Sequence, residues 1–111
     1  MTDLTEGTTF QMAQLHVALE EGFSGDDVTV RVAGKKAFEA KKLRTRLQVG
    51  LAGSFDVEVA DGHVDIVLEL PKRKIVHRHR VTVAGPTFVG ISLDETHDVV
   101  LRTSSEPFGY V

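Results

Sequence analysis

Apolar residues recur at every second position in segments of about six to nine residues, and turn residues separate the segments. A chain patterned this way buries one face of a strand, because side chains alternate between the two faces of a sheet. The 3.6-residue period of an amphipathic helix is missing throughout. Leu15, Val17 and Leu19 alternate with His16, Ala18 and Glu20, and the segment ends at Glu21-Gly22. Val28, Val30 and Val32 alternate with Thr29, Arg31 and Ala33 before Gly34-Lys35-Lys36, and a short strand from Ala37 to Lys41 completes a hairpin. Thr45, Leu47, Val49 and Leu51 alternate with Arg44, Arg46 and Gln48, which reads as a half-buried strand with a cationic outer face. Phe55, Val57 and Val59 lead through Asp61-Gly62 to Val64, Ile66, Leu68 and Leu70. Asp-Gly suits a tight type I′ turn, so this pair of segments is expected to form a hairpin.

Pro71-Lys72-Arg73-Lys74 breaks the pattern, since proline cannot donate to a central ladder and adjacent cations prefer water. Strands are expected from Ile75 to Val83, Phe88 to Leu93 and Val99 to Thr103, with Gly85-Pro86 and Asp94 to Asp98 as turns. In all, seven to nine short strands fit an all-β fold. The arrangement expected is a single antiparallel β-sandwich, immunoglobulin-like or transthyretin-like, over residues 11–111, preceded by a flexible segment over 1–10.

With 111 residues, the chain has the length of one domain and can bury a core without staples. None are on offer, because it contains no cysteine, which excludes disulfides, thiolate metal sites and cysteine nucleophiles. The first ten residues have neither the basic start nor the apolar run of a signal peptide, and no stretch approaches the length of a membrane span. A cytoplasmic location is therefore expected. The formal net charge is -3, but the thirteen Lys and Arg residues are concentrated in a few segments, including Lys35-Lys36, Lys41-Lys42, Lys72-Arg73-Lys74 and two arginine pairs.

Those pairs, Arg44/Arg46 and Arg78/Arg80, would form a basic face if they shared a sheet, although Asp56, Glu58, Asp65 and Glu69 could pair with them across strands. Nucleic acid is a poor fit, because Phe38 is the one aromatic interleaved with the cations and base stacking needs more. Sugar stacking is short of candidates too, with one tyrosine and no tryptophan. His77 and His79 fall on one strand face and could begin a metal site, with further donors to come from His63, Asp65, Glu69, His97 or Asp98. The plainer reading of that pair is a polar strand face. No nucleophile elbow or phosphate loop is present, and no cofactor is implied. The terminal Glu106-Pro107-Phe108-Gly109-Tyr110-Val111 carries apolar side chains that either pack on the domain or present Phe108, Tyr110 and Val111 to a partner.

The run Val28 to Lys36, followed by Leu47-Gln48-Val49-Gly50 and Phe55 to Gly62, resembles small immunoglobulin-like or transthyretin-like sandwich modules of the carboxypeptidase-regulatory type. The resemblance covers about half of the chain and implies a non-catalytic binding or assembly domain, with no functional residue carried over. The expectation is thus a non-enzymatic module acting through a protein partner or as a homo-oligomer. The alternative is a small ligand- or metal-binding domain using His77 and His79.

Overall fold

A computed structural model describes residues 11–109, so the segment expected to be flexible over 1–10, together with Tyr110 and Val111, lies outside the described residues. The described residues form eight strands, β1 (Met12–Leu19), β2 (Ser24–Val32), β3 (Lys35–Arg44), β4 (Gly53–Ala60), β5 (Gly62–Leu70), β6 (Ile75–Val83), β7 (Thr87–Leu93) and β8 (Val99–Ser104). One 3-10 turn, Pro71–Arg73, joins β5 to β6. Sheet A has the order β4-β1-β7-β8 and sheet B the order β3-β2-β5-β6. The fold is an all-β sandwich. Its ladders are antiparallel except β1 with β7, which run parallel. Among the described residues no helix is long and apolar enough to cross a membrane.

Alternation builds the core directly. Leu15, Val17 and Leu19 of β1 and Val89, Ile91 and Leu93 of β7 face Val28, Val30 and Val32 of β2 and Val64, Ile66, Leu68 and Leu70 of β5, all buried in one cluster. Each such aliphatic side chain contributes about 1.5–3 kcal/mol on leaving water, which is why the pattern dictates the sheet faces. Phe38 of β3 stacks on Phe55 of β4, with ring centroids 5.3 Å apart, where those two edges meet.

Two connections differ from the sequence expectation. Asp61-Gly62 does not close a hairpin, because β4 belongs to sheet A and β5 to sheet B, and the chain crosses from one layer to the other there. A type I′ turn needs positive φ at both central residues. Gly62 has φ +122°, but Asp61 is not among the positive-φ residues, and its amide donates to the Gln11 carbonyl at 2.8 Å. That bond extends the β1–β4 pairing instead of turning the chain back. The two-residue turn with positive φ at both positions is Ala33-Gly34, at 52° and 83°, and it joins β2 to β3.

Residues 45–51 form no strand. They make a single bridge between Arg46 and Leu51, and the Arg46 carbonyl accepts the amides of Val49 and Gly50, curling the segment into a turn. Leu47 is 90% exposed at its tip. This segment also carries the chain between layers, from β3 in sheet B to β4 in sheet A, so it cannot continue either ladder.

One end of the sandwich is tied by Arg73. Its Nε and Nη2 donate to Asp26 Oδ1 and Oδ2 at 2.7 and 2.9 Å, and Nη2 also reaches the Gly22 carbonyl and Ser24 Oγ at 3.3 and 3.2 Å. Nη1 lies 2.6 Å from His97 Nδ1, in the β7–β8 turn. One guanidinium thereby fastens three connections. Burial works to raise the Asp26 pKa, but the Arg73 hydrogen bond, the Ser24 amide and the charges of Arg73 and His97 together hold it below its ordinary value.

Candidate contact face

The outward residues of sheet B follow from its registers. Lys36 of β3 opposes Arg31 of β2, Arg31 opposes Val67 of β5, and Val67 opposes Arg78 of β6, so three cations and a valine lie in one row across the sheet. The row beside it runs Glu39, Thr29, Glu69 and Val76, and on the other side Asp65 opposes Arg80. Charges therefore pair both between rows and, for Asp65 and Arg80, within one. Arg31 Nε donates to Glu69 Oε2 at 3.2 Å, Lys36 Nζ to Glu39 Oε1 at 3.0 Å, and Arg80 Nε to Asp65 Oδ1 at 3.0 Å, while Arg78 Nη1 lies 3.5 Å from Asp65 Oδ2. The Arg80 hydrogen bond holds the Asp65 carboxyl below its ordinary value against the opposing effect of desolvation, and the charges of Arg80 and Arg78 add to the lowering.

Towards the β6 edge this face opens to solvent. Val76 is 73% exposed, and the side chains of Arg78 and Arg80 are 71% and 66% exposed, although one carboxylate, Asp65, serves both arginines. Arg31, His63, Val67, Val76, Arg78 and Arg80 line a concavity of about 590 Å3. Of these residue types, arginine is the one enriched at protein contacts. As the last strand of sheet B, β6 pairs only with β5 among the described residues.

The expected basic face is divided. Arg44 closes β3 at the opposite edge of sheet B from Arg78 and Arg80, and Arg46 lies in the 45–51 turn, so the two pairs do not meet. Arg78 and Arg80 are joined instead by Arg31 and Lys36. The outward position of Arg31 was legible in its alternation with Val30 and Val32, but its alignment with Arg78 depends on strand order, which the sequence does not display.

His77 and His79 do share a face, opposite Arg78 and Arg80, with rings near-parallel at 13° and centroids 6.3 Å apart. They oppose Leu68 and Ile66, so both lie on the inward side of β6. Of the further donors, Asp65 and Glu69 are on the outer face in ion pairs, His63 stands across from Thr82, and His97 contacts Arg73 at the end of the sandwich. Among the described residues no group of three or more His, Cys, Asp or Glu side chains is close enough to hold a metal ion.

Phe108 packs on its own domain, with the Arg102 guanidinium 3.9 Å from the centre of its ring. Arg102 also donates from Nε and Nη2 to Glu20 Oε1 and Oε2 at 3.2 and 2.7 Å. Gly90 makes this possible, because a Cβ there would sit 2.6 Å from Glu20 Oε1. Beyond it, Tyr110 and Val111 lie outside the described residues. Nothing in the sequence pairs Glu20 with Arg102, since they are separated by 82 positions.

No protein-family model matches the chain, and no curated protein matches it. Solved structures do. A protein from Eubacterium rectale, determined by NMR, matches with a TM-score of 0.51 and 18% identity over 82% of this chain and 86% of its own. The CBM25-1 of beta/alpha-amylase from Paenibacillus polymyxa, determined in solution, matches with a TM-score of 0.52 and 12% identity over 91% of this chain and all of its own. At these identities the likeness is one of fold. Its near-complete coverage agrees with a single β-sandwich.

Proposed function

We propose that this chain is a non-catalytic sandwich module that works by protein–protein contact, as a small accessory subunit or assembly module, through the outer face of sheet B beside β6. The observation that carries the reading is that Val76, Arg78 and Arg80 project from one face of an edge strand and are each about two-thirds exposed or more. An apolar side chain flanked by arginines supplies both desolvation and charge selectivity at a contact. The cations outnumber the carboxylates there, Arg31, Arg78 and Arg80 against Asp65 and Glu69, which favours an acidic partner surface. The C-terminal tail is the weaker candidate, because Phe108 is engaged with Arg102.

The test compares the chain with a Val76→Glu/Arg78→Glu double variant and with a truncation lacking residues 107–111, reading the mass of complexes recovered from the native host. Loss of the complex in the double variant, with melting temperature retained and the truncation still competent, is the expected outcome. Loss in the truncation alone would transfer the contact to the tail.

A further inference from the structure

We infer that β6 accepts an added strand from its partner, and that this strand is an extended acidic segment in which aspartate or glutamate alternates with small apolar residues. This rests on the reading of the outer face of sheet B as the contact face and names what binds there. The N–H and C=O groups of β6 that point away from β5 have no ladder among the described residues, along a strand of nine residues or about 30 Å. Such an edge is a template for another chain unless it is blunted by proline, a bulge or a short length. None of these applies here: β6 contains no proline, and its nine pairs with β5 run without a register shift. By contrast the β3 edge, at the other side of the same sheet, is paired through three register irregularities and carries Lys35, Lys36, Lys41 and Lys42.

Charge alone guards β6, and charge also selects the partner. Two copies of β6 paired antiparallel about their centres would set arginine against arginine, which disfavours a homodimer through this edge. An acidic strand turns the same positions into opposite-charge pairs with Arg78 and Arg80. The inward side specifies the alternate positions. His79 lies on the same face as the buried Val81 and Val83 yet is exposed, so sheet A does not cover the strand at that point. Ile75, at the start of the same face, is only partly buried, as are Val99 and Leu101 of β8, the edge strand of sheet A. Small apolar side chains from an added strand would cover that seam while its carboxylates face outward. A β-augmented complex of this kind draws affinity from main-chain hydrogen bonds and specificity from alternate side chains.

The probes are synthetic peptides of alternating valine and aspartate, the same peptide with lysine for aspartate, and the aspartate peptide N-methylated at alternate amides to remove main-chain donors. Binding is followed by amide chemical shifts and by hydrogen exchange of the full chain. The aspartate peptide is expected to slow exchange across Ile75–Val83, the lysine and N-methylated peptides to bind at least about tenfold more weakly, and an Arg78→Gln/Arg80→Gln variant to lose a similar factor. Equal binding by the lysine peptide, or no shift in β6 with the aspartate peptide, overturns the inference. Shifts at Arg31 and Val67 that survive N-methylation, without protection of β6 amides, would overturn strand addition while leaving the contact face in place. A peptide-independent dimer protecting β6 would overturn the choice of partner and name a second copy instead.

Discussion

Arg73 and the pair Arg78/Arg80 stand within eight positions of each other, yet the fold uses them in opposite ways. Arg73 is 19% exposed, makes a two-pronged contact with a nearly buried aspartate, and touches a carbonyl, a hydroxyl and an imidazole besides. Arg78 and Arg80 are mostly exposed and share one carboxylate. The turn decides this. Pro71–Arg73 brings Arg73 to the end of the sandwich, where three connections converge, whereas β6 carries the next arginines out along an edge. Guanidinium groups of the same chemistry are fixed in place when buried partners surround them, and remain able to exchange partners when water does.

The largest effect should come from the buried side of this contrast. Arg73→Ala leaves the Asp26 carboxylate without its counter-charge in a part-buried site, and loss of one partner from such a pair costs about 1–3 kcal/mol. Chemical denaturation should register it, and a cost below about 1 kcal/mol would mean that the three connections hold without the clamp.

Acid should act next. Because the Asp26 pKa is lowered in the folded state, its contribution is present in full above the unfolded value near 3.8 and is lost as the pH falls through the folded value below that. Unfolding free energy measured at about pH 6 and about pH 3 should therefore fall more steeply for the native chain than for Asp26→Asn. Parallel curves would show that Asp26 takes no part in the acid response. The smallest effect is expected on the exposed side: Arg80→Ala should change stability by less than about 1 kcal/mol, since exposed pairs contribute little. A larger loss would make Arg80 a second clamp and remove it from the contact face.

Much of the fold was legible because alternation is a local signal. The inward apolar residues of β1, β2, β5 and β7 make most of the core, and the proline-led break after Leu70 is the turn that joins β5 to β6. Which layer a strand joins is not local. Phe55–Val59 and Val64–Leu70 have the spacing of a hairpin, but their apolar faces are buried in two different sheets, and the Asp61 amide is committed to the Gln11 carbonyl just before β1. Residues 45–51 alternate as a strand does, yet Leu47 and Arg46 occupy a turn, because bonds to the Arg46 carbonyl replace a ladder. The site was half legible for the same reason. The outward Arg78 and Arg80 could be read from β6 itself, while Arg31 and Lys36 joined them only once strand order was known.

The most direct measurement is hydrogen–deuterium exchange of the whole chain, alone and with the alternating valine–aspartate peptide bound. The account predicts new protection over Ile75–Val83, with residues 45–51 and the segment around Phe108 unchanged. Protection confined to residues 45–51 or to the tail, with β6 exchanging as before, would contradict it.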